Sequence, residues 1–321
     1  MQVDFGRGGG PSVLSRVLLL WVFLHAISAE AGGRWRCDYS LGMDYRQARL
    51  DWNIAGSLAG TGPDVLSELT WKDLDIAQIN GAVQGTVNDR YVALGRVAYG
   101  TVVNGRVRDS DYNGDGRTLE YLRSDSRGGG NIGDVSIGFG YHLRPFPAAA
   151  EQAVRLTPMA GYSLHLQYLK ISDGRQIIPA TGVIDNLDSN YNAEWSGPWL
   201  GINVRLEANK RTAVIVNAEY HRAVFYAEAN WNLRDDLAHP VSFKHDARGF
   251  GFIVSMAVSR TLTKHLDVLA RMEAQDWQAD PGVDTLYTIN TTTKELQPTV
   301  TRLNAVNWRS LSGGIAATYH F

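Results

Sequence analysis

From Leu266 to Gln275 the chain changes polarity at almost every residue: Leu266, Val268, Ala270, Met272 and Ala274 alternate with Asp267, Leu269, Arg271, Glu273 and Gln275. A two-residue period belongs to a β-strand, whose side chains point to opposite faces, and it excludes a helix over that stretch. Weaker versions recur from Trp199 to Arg205 and from Val214 to Tyr220. Strands of this kind build sheets with one greasy and one polar face. A soluble sandwich turns the greasy face inward, whereas a membrane barrel turns it outward, so the pattern alone leaves both open.

The punctuation separates them. Tight polar turns fall at Asn88-Asp89, around Arg144 to Glu151, at Asn209-Lys210 and around Thr263-Lys264, at intervals of roughly 55 to 60 residues. Between them lie longer stretches rich in Gly, Asp, Asn, Ser and Thr: Gly56 to Val65, Asn104 to Asn131, Ser172 to Ser196, Glu228 to Ala247 and Gln278 to Asn304. Short turns at one end and long loops at the other are the asymmetry of an outer-membrane barrel. Five such hairpins predict an all-β fold, a closed antiparallel transmembrane β-barrel of about ten strands, an even number that brings the termini together. Closure is what allows strands to cross lipid, because it leaves no backbone edge unpaired.

Composition removes competing classes. No apolar run reaches the ~18 residues of a membrane helix. With 31 Lys and Arg against 33 Asp and Glu, net −2, there is no overall field to hold a polyanion, and nucleic acid is excluded as a partner. The single Cys37 has no internal disulfide partner and no companions for a Cys-rich metal site.

The first residues read as an address. Arg7 and Arg16 precede the apolar run Val17 to Leu24, and Ala29-Glu30-Ala31 supplies the small-residue site, the order of a secretory signal. Residues 1–31 are therefore expected to be a cleaved signal peptide and 32–321 the barrel domain of the bacterial outer membrane. Arg34-Trp35-Arg36 before Cys37 does not support lipid anchoring. At the other end Ile315, Ala317, Tyr319 and Phe321 alternate onto one face of a last strand. Trp35, Tyr39, Tyr91, Tyr99, Tyr141, Trp199, Trp308 and Tyr319 are candidates for the interfacial aromatic girdles. Charges at alternate positions, Arg96, Arg205, Glu219, His221, Asp267, Arg271 and Glu273, are expected to fill a narrow lumen with ion pairs and water, which argues against a general pore.

The segment Leu66 to Tyr112 (LSELTWKDLDIAQINGAVQGTVNDRYVALGRVAYGTVVNGRVRDSDY) resembles the second and third strands of the omptin family of outer-membrane aspartate proteases. Asn131 to Leu143, Met159 to Tyr162, Ser196 to Asn203 and Gly313 to Phe321 continue the likeness. A group of omptin-like barrels named after the Protochlamydia outer membrane protein is similar to an equal or greater degree. The resemblance implies a ten-stranded fold, a dependence on lipopolysaccharide, and a site in which an acidic pair faces a His-Asp pair across the rim, the His acting as general base on a water.

The acidic half is present: Asp109-Ser110-Asp111 follows the third strand as the family's D-x-D does, and on a strand both carboxylates point to one side. Carrying the register forward from Glu219-Tyr220 places the family's D-x-H on Asn230-Trp231-Asn232, amides that take no proton near neutral pH. Asp235, Asp236 and His239 lie just beyond, one residue longer than the family's spacing, and His245-Asp246 is a further pair. The acidic stretch also fits a calcium loop: Asp109, Asp111, Asn113, Asp115 and Glu120 supply oxygens at the expected offsets, with Gly114 for the sharp turn. A solvated acidic loop is the third reading. Two functions follow: a non-proteolytic barrel displaying long loops to an extracellular protein ligand, ions or lipopolysaccharide, or an omptin-type endopeptidase cleaving at basic residues through Asp109, Asp111, Asp236 and His239.

Overall fold

A computed structural model of the chain describes residues 35–143, 146–147, 153–290, 293 and 295–321. The expected signal peptide and most of the turn around Arg144 to Glu151 lie outside the described residues. Twelve strands follow in order: β1 Trp35–Ile54, β2 Ser67–Val87, β3 Tyr91–Gly114, β4 Thr118–Tyr141, β5 Phe146–Pro147, β6 Ala153–Ile178, β7 Gly182–Asn209, β8 Thr212–Asn230, β9 Phe243–Thr263, β10 Leu266–Ala279, β11 Gly282–Ile289 and β12 Leu296–His320. Ten of them form the ring β1-β2-β3-β4-β6-β7-β8-β9-β10-β12, antiparallel throughout and closed by β1 on β12 from Asp38↔His320 to Ile54↔Leu303. Among the described residues the two-residue β5 pairs with β6 alone. β11 lies between the same two neighbours as β10, namely β9 and β12. The two are one strand broken at Asp280-Pro281, where proline has no amide hydrogen for the ladder.

The predicted turns hold at Asn88 to Arg90, Lys210-Arg211 and Lys264-His265. The predicted long loops are mostly strand. β3 and β4 run to a short turn at Asp115–Arg117, and β6 and β7 to one at residues 179–181, so that irregular backbone at this end is concentrated in residues 55–66 and 231–242. Polar composition suggested loops because solvent was expected on both faces, but a ladder satisfies its own backbone in water as well as in lipid. The uninterrupted ring strands are 19 to 28 residues long, about twice the 9–11 residues that cross a bilayer.

What the extra length does shows in the side chains. On β1 the outward residues run Leu41, Met43, Tyr45 and then Gln47, Arg49, Asp51, while the inward ones run Asp44, Arg46 and then Leu50, Trp52. β2 mirrors it: outward Val83, Ile79 and Ala77 give way to Asp75, Lys72 and Thr70, and inward Asn80 and Gln78 give way to Ile76, Leu74, Trp71 and Leu69. Halfway up the wall the greasy face changes sides. The short-turn half is apolar outside and polar inside, fitting lipid. The loop half is polar outside and apolar inside, fitting water. Both candidate arrangements left open by the alternation therefore occur, one above the other.

The exposed apolar band includes Ile137, Phe139, Tyr162, Leu200, Tyr220, Phe252, Val254, Met256, Met272, Leu311 and Ile315. Tyr91, Tyr99, Tyr141 and Tyr319 face outward on it as girdle residues should. Trp199 and Trp308 do not: they are 2% and 1% exposed because each shares the inward parity of its strand. Inside the loop half, Trp52, Trp71, Tyr191, Trp195, Phe225, Phe243, Trp277 and Trp308 make one continuous core, with Trp195 against Phe225 at 4.5 Å and Trp71 against Tyr191 at 5.3 Å between ring centroids. Each such ring removes ~150–250 Å² from water, worth at most about 4–6 kcal/mol.

Below this core the lumen is closed by ion pairs. Asp44 accepts from Arg271, Gln78 and Asn80. Arg46, 2% exposed, reaches Asp134 at 3.0 Å and Glu273 at 3.6 Å. Arg96 meets Glu219 at 2.7 Å. His165 and His221 join through Asp134 and Glu219, at 2.9 and 3.2 Å, and their rings lie tilted against Trp277 with centroids 4.4 and 4.9 Å away. Charges of both signs cross the narrow interior in ion pairs and leave a space of about 170 Å³ between Arg46, Arg96, Asp134, His165, Arg271 and Glu273.

Candidate functional site

The acidic pair sits where β3 rises into the loop half. Asp109 lies between Leu69 of β2 and Ser124 of β4, and Asp111 between Ser67 and Leu122. Both carboxylates face the interior, as the strand period requires, and border a cleft of about 480 Å³ that opens at the loop end. Ile184 and Leu187 of β7, Trp231 and Leu233 of the 231–242 loop, and Leu286 of β11 give its walls an apolar character. Burial, aggravated by the neighbouring charge of Asp111, pushes the Asp109 carboxyl up to about 8. Burial also raises Asp111, against a hydrogen bond from Ser67 and the charge of Arg234, which pull it down. The pair therefore holds a proton near neutral pH, with one carboxyl able to donate and the other only to accept.

The residues expected opposite take other parts. Arg234 lines the cleft and its positive charge acts on both acids. Its guanidinium is held by Asp236 through two bonds of 2.8 and 2.7 Å. Asp236 is thus the partner of an arginine and is held low by it. His239 is exposed, 2.7 Å from Asn230 through Nδ1, and is not among the residues bordering the cleft. The structure brings Asp109 and Asp111 together and does not bring His239 to them.

Asn232, on the position matched to the family's histidine, completes the sheet. β8 begins to cover β7 only at Asn190↔Asn230, leaving the tip of β7 without a neighbour on that side. The Asn232 side chain supplies one: Oδ1 accepts the backbone N–H of Asp188 at 2.9 Å and the Ser189 hydroxyl at 3.0 Å, and Nδ2 donates to the Asn186 carbonyl at 2.8 Å. An amide carries a donor and an acceptor side by side, like a peptide group, while a carboxylate has no donor.

A buried His-Asp pair does border the cleft, from a source the sequence did not indicate. His245 of β9 and Asp284 of β11 are register partners, with Nε2 3.4 Å from Oδ1. The adjacent Asp246, expected as the partner, points to the opposite face and is exposed. Nδ1 of His245 is 3.0 Å from the Tyr191 hydroxyl, and Thr301 donates to Asp284 at 2.9 Å. The rings of Trp52 and Phe243 enclose the imidazole at 4.9 and 5.1 Å. At 1% exposure, the ring is held through Nδ1 by Tyr191, while Nε2, 3.4 Å from Asp284, makes no hydrogen bond. Burial and Asp284 hold the Tyr191 phenol well above its ordinary range. A sequence reader could find the His245–Asp284 contact only by knowing that β11 resumes the path of β10.

The calcium-loop residues do not converge. Asp109 to Gly114 is extended strand, with Gly114 at φ −129°, and the left-handed turn falls at Gly116 and Arg117. Asp115 accepts the Asp64 amide while Asp64 accepts that of Gly116, both at 2.8 Å, which clasps the hairpin tip to the 55–66 loop. Glu120 pairs with Arg123 and stands opposite Tyr112. Among the described residues no three His, Cys, Asp or Glu side chains gather in a way that could hold a metal ion.

Residues 40–321 match the family described as Protochlamydia outer membrane protein, and the chain belongs to that family. No curated protein matches the sequence. Among solved structures, the outer membrane protease OmpT from Escherichia coli superposes with a TM-score of 0.70 at 14% identity, over 89% of this chain and 96% of that one. The translocator domain of the autotransporter NalP from Neisseria meningitidis gives 0.35 at 10% identity, over 95% of each chain. The attachment invasion locus protein Ail of Yersinia pestis gives 0.30 at 8%, over 91% and 100%. At 14% identity the first likeness establishes the omptin-like barrel fold and nothing of its chemistry.

Proposed function

We propose that this member of the Protochlamydia outer membrane protein family is a binding barrel without peptidase activity, which holds its loop end outside the cell and admits an extracellular ligand to the cleft beside Asp109 and Asp111. The observation that carries the reading is the use of Asn232. Its amide is spent on the backbone of β7, and the nearest exposed histidine, His239, is tied to Asn230 away from the cleft. Beside the acidic pair the cleft presents Arg234, a cation, and the histidine that borders it, His245, is buried against Tyr191 and Asp284, where hydrolysis by the omptin route needs an accessible histidine base. The orientation follows from the rule that short turns face the periplasm and long extensions the exterior. In this reading lipopolysaccharide phosphates would meet the outward Lys170 and Arg248, where the polar belt begins above the lipid band.

The omptin-type reading rests on the acidic pair, and one assay separates the two. The protein is refolded with lipopolysaccharide and incubated with peptides carrying paired basic residues. No turnover above a denatured control is expected. Turnover abolished by Asp111→Asn or by His239→Ala would overturn the proposal and establish the endopeptidase.

A further inference from the structure

The outward cations of the loop half are largely neutralised by neighbours. Arg49 pairs with Asp51, Arg106 with Asp73, Arg108 with Asp125, Arg309 with Asp276 and Lys244 with Glu228. The opposite rim differs. Where β7 turns into β8, Lys210 and Arg211 join Arg260 of β9 around an open concavity of about 610 Å³, whose remaining lining is Ala208 and Asn209. Among the described residues none of the three cations has a carboxylate within ion-pair distance, and no acid lines the concavity. Arg260 shares the outward parity of Val258, Met256 and Val254, so its side chain leaves the barrel on the lipid side at the lower edge of the apolar band. Thr212, Arg260 and Val268 stand side by side across three strands. The Arg260 guanidinium is braced by the Thr212 hydroxyl at 2.8 Å, and the turn is fixed by the Asn209 side chain accepting the Arg211 amide at 3.0 Å.

We propose that Lys210, Arg211 and Arg260 form a site for the phosphodiester headgroup of one anionic glycerophospholipid, whose acyl chains lie along Val214, Val258 and Val268. The position supplies both halves of such a ligand. Uncompensated guanidinium groups recognise phosphate oxygens in pairs, and the adjoining column is apolar and outward. Cations at a bilayer edge without protein counter-ions gain most from lipid charge. The inference is independent of what the loop-end cleft binds.

The test uses the folded barrel in detergent micelles doped with phosphatidylglycerol, with native mass spectrometry counting retained lipid. Folding of each variant is checked by the resistance of the barrel to unheated SDS. Wild-type protein is expected to retain one phosphatidylglycerol. Arg211→Gln and Arg260→Gln should each cut its occupancy constant about fivefold, Lys210→Gln similarly, and Arg260→Lys less than Arg260→Gln. The pair Arg49→Gln and Arg309→Gln on the other rim should leave retention unchanged. Should either arginine variant fail to fold, Lys210→Gln on the exposed turn still decides the matter. Retention unaffected by Lys210→Gln and by the arginine variants would overturn the proposal, as would displacement of the lipid by millimolar inorganic phosphate, which would make the concavity a site for the free anion.

Discussion

Replacing Asn232 by alanine is expected to release the 231–242 loop from the tip of β7 without disturbing the barrel. Three hydrogen bonds vanish: those from the Asp188 amide, from the Ser189 hydroxyl and to the Asn186 carbonyl, at 2.9, 3.0 and 2.8 Å. Neutral hydrogen bonds contribute about 0.5–1.5 kcal/mol each. Water can replace part of the loss at this half-exposed edge, so the low end applies and the sum is about 1.5–3 kcal/mol. Since 1.4 kcal/mol is a factor of ten, hydrogen exchange over residues 184–190 should quicken by roughly 10- to 100-fold. Exchange in the lower strands, from Leu41 to Tyr45 for example, should not move, because lipid-level pairing does not depend on the loop. Asn232→Asp keeps the acceptor and loses the donor, so its effect should fall between wild type and alanine. Unchanged exchange over 184–190 in Asn232→Ala would refute the staple and, with it, the reason given for an amide at this position.

Arg46→Ala would leave Asp134 and Glu273 facing each other without their shared cation, and breaking a buried pair from one side costs about 3–5 kcal/mol. The urea midpoint for unfolding from micelles should drop accordingly, and a change below 1 kcal/mol would mean that water fills the lumen well enough to screen these charges. The acidic pair gives a pH signature. Asp109 is raised to about 8 by burial and by Asp111, so the folded chain holds this proton more tightly than the unfolded chain. The stability it confers is complete below the ordinary aspartate range near pH 4 and is lost as pH rises through about 8. Asp109→Asn should flatten that decline between pH 5 and 9, and parallel profiles for variant and parent would show that the carboxyl is ionised throughout.

Ring closure and strand number were legible because each turn, such as Asn88-Asp89 or Asn209-Lys210, is written locally in residues that tolerate tight polar bends. The half of each strand beyond the membrane was not. Asn104 to Asn131 reads as a loop, yet Arg106 and Arg108 are the wet face of a wall whose dry face includes Val107. Trp199 and Trp308 misled in the same way: an aromatic near a strand end fits a girdle or a core equally well, and only parity against distant neighbours decides. The acidic pair was visible since its geometry depends on one strand alone. The His245–Asp284 contact was not, because it joins β9 to a strand resumed after Pro281, and neither was the task of Asn232, which depends on where β8 stops covering β7.

The exchange of greasy and polar faces midway up the wall binds every strand to its neighbours twice over. Were one strand to slip by a single residue, Asp44 and Arg46 would enter hydrocarbon in the lower half while Leu50 and Trp52 would enter water in the upper half. An ordinary barrel or an ordinary sandwich punishes such a misalignment in one solvent only. Here two solvents proofread the same hydrogen-bond ladder, and a misaligned hairpin finds no depth at which it fits.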